Sequence, residues 1–161
     1  MLIRRAVLDD AEGIRAIYNP FVASSTVTFD LVPRTIEDQR AWIEARDGSH
    51  AALVAEVDGQ IAGFGSLSPY RDRPAYATTV EDSVYVDPDR QGLGIGRALL
   101  DALVDTARDH GFHSVMARIV GGHDTSIALH LAAGFEVVGT EREVGRKLGR
   151  WLDVVLLQLL L

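Results

Sequence analysis

Three features of the chain carry side chains or amides capable of chemistry: a glycine-rich turn at residues 91–96, a glutamate on the strand leading into it, and a histidine on a later helix. The stretch Val84-Tyr85-Val86-Asp87-Pro88-Asp89-Arg90-Gln91-Gly92-Leu93-Gly94-Ile95-Gly96-Arg97 reads as a strand, a tight turn and the start of an amphipathic helix. Amides at a helix N-terminus lack intrahelical acceptors, and the helix dipole adds positive potential, so such a turn favours an anion. Glycine lets the backbone approach phosphate oxygens closely, and Arg90 and Arg97 can add charge-assisted bonds. Two phosphate motifs are excluded. A P-loop ends in Gly-Lys-Ser/Thr, whereas Gly96 is followed by Arg97-Ala98. A dinucleotide-binding turn follows the first strand, and these glycines come after the fourth predicted one.

Glu81 by itself reads either as a charged strand residue facing solvent or as a base. In a partly dry cleft a carboxylate holds its proton more tightly and suits proton abstraction near neutral pH. His130 reads either as a helical histidine packed on a sheet or as a group that donates a proton near neutrality. The chain has no cysteine, which removes disulfides, thiolate metal sites and a cysteine nucleophile. Serines such as Ser83 have no evident His/Asp partner in sequence, so a serine nucleophile is not expected. His110 and His113 straddle a helix end without a third ligand and read as capping residues, and no metal site is expected.

The elements that must position these residues follow from periodicity and turn chemistry. Ile3–Val7 is β-like. Asp9 and Glu12 have capping-box spacing before a helix carrying Ala11, Ile14, Ile17, Tyr18 and Phe21, which Pro20 is expected to end or bend. Residues 24–32 read as irregular or extended. A second helix opens at Thr35 with Asp38 three residues on, carries Trp42 on its apolar stripe, and stops near Gly48. Ala51–Val57 and Ile61–Leu67 flank Asp58-Gly59, a hairpin signal. A polar loop holds Arg71 and Arg73, and Thr78–Val86 is the next strand. Leu99, Leu100, Leu103, Val104 and Ala107 share one face of the helix over 97–110, with Gly111 as its C-cap. Val115–Val120 is a strand, Asp124–Ala133 a short helix, and Phe135–Val144 and Trp151–Leu161 the closing strands. Trp151 reads as either core or part of a dimer contact. The order β-α-α-β-β-β-α-β-α-β-β is too strand-rich for a regular doubly wound fold. It predicts an α/β, mixed α+β domain with helices on both faces of a mixed sheet.

The length of 161 residues, with no linker or composition break, predicts one domain over 1–161. A hydrophobic content of 47% supplies a core, and a net charge of −7 argues against nucleic acid and anionic membranes as partners. The most apolar stretch, Val154–Leu161, is far shorter than the ~20 residues a membrane span needs. The N-terminal stretch lacks the apolar run of a signal peptide. A cytoplasmic protein is expected.

The turn Gln91-x-x-Gly94-x-Gly96 after a Val-x-Val strand resembles the acyl-CoA-binding motif of the GNAT superfamily of N-acetyltransferases. Nearly the whole chain follows that family's element order. The segments Ile17-Tyr18-Asn19, Ser25-Thr26-Val27-Thr28-Phe29, Thr79-Val80-Glu81-Asp82-Ser83-Val84-Tyr85-Val86, His130-Leu131-Ala132-Ala133-Gly134-Phe135 and Gly149-Arg150-Trp151-Leu152-Asp153 are similar to the phosphinothricin and methionine sulfoximine acetyltransferase branch. The resemblance implies a GNAT fold, with a central, mostly antiparallel, twisted sheet of six to seven strands. It also implies acetyl-CoA as co-substrate and direct transfer of acetyl to the α-amino group of a small glutamate-like amino acid. It further implies pantetheine contacts from Val84, Tyr85 and Val86, and a pyrophosphate cradle from Gln91, Gly92, Leu93, Gly94, Ile95, Gly96 and Arg97. His123 stands where relatives commonly have a CoA-contacting asparagine. Glu81 matches the family's catalytic glutamate, and His130 stands where many relatives have the tyrosine that protonates the leaving thiolate. By the same resemblance Arg71 and Arg73 grip the acceptor's anionic group, Tyr76 and Phe29 form apolar walls, and the chain is a homodimer. One branch carries a further arginine where this chain has Ala77. Two alternatives stand beside this reading: acetylation of a protein N-terminus or polyamine by the same core, and a non-catalytic acyl-CoA-binding module.

Overall fold

A computed structural model describes residues 1–161. Its centre is a seven-stranded sheet built from β1 (Leu2–Arg5), β2 (Ala52–Val57), β3 (Gln60–Pro69), β4 (Thr79–Val86), β5 (Ser114–Val120), β6 (Glu136–Lys147) and β7 (Arg150–Leu160). The spatial order is β1-β2-β3-β4-β5-β7-β6, and every pairing is antiparallel except β4 with β5. The four helices are α1 (Ala11–Ser24), α2 (Ile36–Glu44), α3 (Ile95–Asp109) and α4 (Asp124–Ala132), in the order expected from sequence. None is long and apolar enough to cross a membrane.

The helices divide between the two faces because strand side chains alternate. On one face Leu99, Leu100 and Leu103 of α3 pack with Leu53, Leu67, Val80 and Leu157. On the other, Ile14, Ile17 and Tyr18 of α1 and Ile43 of α2 pack on Val54 and Phe64. The strand β4 therefore sends Val80 and Asp82 toward α3 and α4, and Glu81, Ser83 and Tyr85 toward α1 and α2. The Asp58-Gly59 turn joins β2 to β3 with positive φ at both residues, which matches the right-handed twist of the flanking strands.

Local expectations fail at several places. Asp10, not Asp9, organises the start of α1: its Oδ2 accepts the Val7 amide at 2.8 Å and the Arg4 guanidinium at 2.7 Å, while Glu12 turns to Arg15. Pro20 does not end α1, which continues to Ser24. Pro20 and Ala16, whose carbonyl the proline leaves without a donor, both lie on the solvent-exposed side of the helix, where loss of that bond is least costly. The strand β6 runs to Lys147, past the expected end, because Leu148-Gly149 closes a hairpin with β7. Trp151 is 61% exposed and is not core. Trp42 is half-buried and forms a cavity wall rather than packing wholly inside.

Candidate active site

The site begins where the sheet opens. The strands β4 and β5 pair only at Thr79–Ser114, Val80–Val115 and Glu81–Met116. Beyond these pairs β4 stays bonded to β3 and β5 to β7, so the facing edges of residues 83–86 and 117–120 have no strand between them. The gap holds a cavity of about 60 Å³ lined by Asp82, Ser83, Arg118, His123 and His130 among others. Backbone amides and carbonyls left unpaired along such an edge are ready for a ligand that bonds like a strand.

One end of the gap leads to a groove of about 680 Å³ bordered by Val84, Tyr85, Val86, Arg90 to Gly92, Gly94 to Arg97 and Gly122 to Ser126. No backbone carbonyl accepts the amides of residues 91–97. Gly94 stands at the N-cap of α3 with φ 77° and ψ 3°, a conformation costing a side-chain-bearing residue about 1 kcal/mol or more. Arg97 is held outward by Asp101 at 2.8 Å and the Ala132 carbonyl at 3.0 Å. Arg90 is tied to Gln60 at 2.6 Å. Leu93, 66% exposed, points away from the groove. The free amides and free strand edges fit a long ligand with a phosphate portion and an amide-bearing arm.

The other end opens into a cavity of about 300 Å³ over the α1–α2 face. Glu81 lies on its wall, with Ser83 and Tyr85 farther along β4 and Ser66 and Ser68 on the neighbouring β3. Burial raises the Glu81 pKa; Arg118 opposes this, while Asp82 and Glu141 add to it. A carboxylate in that state takes a proton more readily than one in water. Phe64 stacks on Tyr85 at 5.1 Å, and Tyr18 meets Tyr85 edge-on at 5.0 Å.

His130 sits on the opposite face of β4 from Glu81, 3% exposed, with Nδ1 2.7 Å from the Ser126 carbonyl and Nε2 3.0 Å from Asp82 Oδ2. Both ring nitrogens face oxygen acceptors, so both bonds form together only when the ring carries two protons. Burial works against that charge, but the Asp82 bond, the Asp82 charge and the Ser126 carbonyl outweigh it and raise the His130 pKa. Asp82 was not among the residues expected from sequence. Its signal was present, since an acidic residue beside Glu81 must point to the other face of the strand.

The segment 25–34 closes the cavity and is pinned from several sides. Asn19 accepts the Arg34 amide and donates to the Arg34 carbonyl, both at 2.9 Å. Tyr18 donates to Asp30 at 2.6 Å and bonds Thr28 at 2.8 Å. Lys147, only 5% exposed, donates to the Thr28 carbonyl at 2.8 Å. The ring of Phe29 packs against β6 at Gly145, where a Cβ would overlap it. His123 bonds Thr26 at 3.0 Å, and burial lowers its pKa.

The structure therefore brings Glu81, Phe29 and Tyr85 into one cavity. Val84, Val86, Gln91, Gly92, Gly94, Ile95, Gly96, Arg97 and His123 border the groove. His130 lies in the gap between them. Arg71, Arg73 and Tyr76 do not line either space. Arg71 lies over the rings of Tyr70 and Tyr76 at 5.0 and 5.7 Å, near enough to Glu141 to feel its charge. The cations that do line the Glu81 cavity are Arg34 and Arg46, in the segments before and after α2, and Arg118 on β5.

Comparison with known proteins agrees with this geometry. Residues 14–135 match the acetyltransferase (GNAT) family. A methionine sulfoximine/methionine sulfone acetyltransferase of Pseudomonas paraeruginosa is 39% identical over 159 residues, covering 98% of this chain and 92% of the relative. The solved structure of a ribosomal-protein-alanine N-acetyltransferase from Brucella melitensis superimposes with a TM-score of 0.97 at 39% identity, covering 100% of both chains. A phosphinothricin acetyltransferase from Sinorhizobium meliloti, solved with acetyl-CoA, gives 0.95 at 37% identity, covering 99% of this chain and 88% of that one. By its sequence and its fold, the chain belongs to the GNAT family of acetyltransferases.

Proposed function

We propose that this acetyltransferase moves acetyl from acetyl-CoA to the α-amino group of a small glutamate-like amino acid, such as phosphinothricin, methionine sulfoximine or methionine sulfone. The observation that carries this reading is the cavity of about 300 Å³, in which a base, Glu81, shares the wall with three guanidinium groups. That combination suits an acceptor presenting an amine and an anion together.

In this reading the amides of residues 91–97 and the groove around them hold the pyrophosphate, and the free edge at Val84 to Val86 holds the pantetheine arm. The gap between β4 and β5 then places the thioester between Glu81 on one face and His130 on the other. Glu81 takes a proton from the acceptor's ammonium, directly or through one water. The amine nitrogen bonds to the acetyl carbon, the carbon–sulfur bond breaks with the sulfur leaving as thiolate, and the nitrogen sheds its second proton to water as the amide forms. His130, kept charged by Asp82 and the Ser126 carbonyl, supplies the proton the thiolate takes up. Arg71 and Arg73, which line neither space, act at longer range as exposed cations that attract an anionic acceptor.

The exposed apolar side chains Val137, Val138, Val144, Leu148 and Trp151 on β6, β7 and their connecting turn support a homodimer through that edge of the sheet. Acetylation of a toxic amino-acid analogue is detoxification, and the acetyl-CoA requirement fits the cytoplasm. The test is thiol release from acetyl-CoA against phosphinothricin, methionine sulfoximine, methionine sulfone, glutamate, spermidine and an alanine-terminated peptide. Turnover confined to the glutamate-like compounds is expected. A second reading, acetylation of a protein N-terminus, is favoured by the name of the Brucella relative, and turnover with only the peptide would establish it. A polyamine acceptor would call for an acidic cavity, and a non-catalytic module would have no use for Glu81 and His130 together.

A further inference from the structure

The Glu81 cavity holds two acidic side chains, Asp30 and Glu81, against Arg34, Arg46 and Arg118. Two of these cations are already answered. Arg118 donates to Glu141 at 2.9 Å. Arg34 lies 3.7 Å from Asp30 and donates to Gln39 at 3.2 Å. Arg46 has no carboxylate partner. Its terminal nitrogens make long bonds to neutral groups, the Trp42 carbonyl at 3.2 Å and the Ser68 hydroxyl at 3.3 Å. Its Nε is buried without any acceptor. Burying a guanidinium without a counter-ion is unfavourable, and the indole of Trp42 under it, 3.9 Å from the guanidinium carbon, offsets only part of that cost. The same indole carries Arg34 at 5.0 Å, so two like charges share one ring. Burial, with the charge of Arg34 adding to it, lowers the Arg46 pKa to about 10.

Strand register sets the distance between this unanswered cation and the base. Ser68 is the cross-strand partner of Glu81, and directly opposed residues have Cβ atoms about 5 Å apart. Because Arg46 reaches Ser68, a group bound to its guanidinium lies beside a group bound to Glu81. An α-amino acid carries its ammonium and its carboxylate on one carbon and meets both requirements at once. We infer that Arg46 binds the acceptor's α-carboxylate and so fixes the amine in front of Glu81. The inference rests on the amino-acid acceptor reading above, and it assigns the α-carboxylate to the inner wall of the cavity rather than to the exposed loop of Arg71 and Arg73. A planar, five-donor group suits that role, because it presents paired N–H bonds to a carboxylate's two oxygens.

The test compares methionine sulfone with its α-carboxamide, which keeps the amine and the side chain and removes the charge. In the unmodified enzyme the acid should be preferred about 100-fold in kcat/KM, the worth of a charge-assisted contact in a dry site. In Arg46→Met the preference should fall to near unity, through a raised KM for the acid, with acetyl-CoA affinity retained. Arg46→Lys keeps the charge without the fork and should retain a reduced preference, which loss of packing against Trp42 would not produce. If Arg46→Met fails to fold, as judged by acetyl-CoA binding and a melting curve, the lysine variant alone decides. An unchanged acid-to-amide ratio in either folded variant would overturn the inference. So would loss of discrimination between phosphinothricin and its phosphinate ester while the α-carboxamide ratio stayed intact, because Arg46 would then grip the distal group. Failure of the unmodified enzyme to acetylate any of these amino acids would instead remove the reading on which the inference stands.

Discussion

The groove at the start of α3 and the cavity beneath Glu81 lie at opposite ends of one opening in the sheet, yet they are built from different materials. The groove is made of backbone: amides of residues 91–97 that no carbonyl accepts, and edges of β4 and β5 that meet no strand. The cavity is made of side chains from at least six parts of the chain, from Tyr18 on α1 to Val154 on β7. A backbone site offers the same donors whatever side chains decorate it, so it can hold one invariant ligand. A side-chain site can be changed one residue at a time without disturbing that ligand. Such a division lets one fold serve relatives whose names specify methionine sulfoximine, ribosomal-protein alanine and phosphinothricin.

Variants should separate the two ends. The largest effect is expected from Glu81→Gln. It should lower kcat by about 1000-fold at neutral pH, within the range for general-base loss, and leave the acetyl-CoA Kd unchanged. Because burial raises the Glu81 pKa, the native rate should fall as pH drops toward that raised value, starting above the usual carboxylate range. The variant should lack that acid limb and approach the native rate at high pH, where the acceptor amine is already free. A pH-independent loss would remove Glu81 as the base.

His130→Phe tests the wall shared by both ends. It strands Asp82 in a buried position, which should lower stability by about 3 kcal/mol. The sign of the native pH dependence follows from the raised His130 pKa. The pair's stabilisation is complete below the ordinary histidine value of about 6.5 and fades as pH rises through the raised one. Melting curves between pH 5 and 9 should show that decline in the native protein and not in the variant, and parallel curves would refute the charged-pair assignment.

Gly94→Val should weaken acetyl-CoA by about tenfold or more, since φ 77° is strained for a β-branched residue and the amide cradle must shift. Its acceptor KM should not move. A variant that bound acetyl-CoA normally would show that the turn does not hold the pyrophosphate. The smallest effect is expected from Arg71→Ala. It should raise the acceptor KM by about threefold at low salt, with the difference vanishing at high salt as for a screened surface charge. A loss that persists in salt would bring Arg71 into direct contact with the acceptor.

The same contrast between materials governs what could be read from sequence. The groove was legible because a backbone site is encoded by neighbours: strand residues, Gly92, Gly94, Gly96 and the helix after them. Glu81 and His130 were singled out by resemblance, and Asp82, which bonds His130, was passed over although it lies between Glu81 and Ser83. The cavity's arginines were not legible. Arg34 lies before α2, Arg46 after it and Arg118 on β5; Arg46 follows Trp42 by four residues, so their contact is local, but only tertiary packing tells which of fifteen arginines share a cavity with Glu81. Arg71 and Arg73 drew attention because their loop precedes the Glu81 strand, but proximity in sequence did not bring them to the cavity. The element order was legible throughout, because apolar alternation in strands and the Leu99–Ala107 stripe on α3 both point to buried faces. The ends of elements were less so. Pro20 spares its helix only because the carbonyl it frees lies on the solvent-exposed side, which a sequence does not show.

Lys147, described above as a pin for the segment over the cavity, is the only lysine in the chain, and there is no cysteine. An ammonium buried against the Thr28 carbonyl is held away from electrophiles. Apart from the α-amino group, the surface therefore presents no amine or thiol side chain for acetyl-CoA to modify by accident. Amine- and thiol-directed labels would find correspondingly little to react with. A protein that handles an activated acetyl group has a surface almost inert to it, and the one side chain that could betray this inertness becomes accessible only if the cavity's cover lets go.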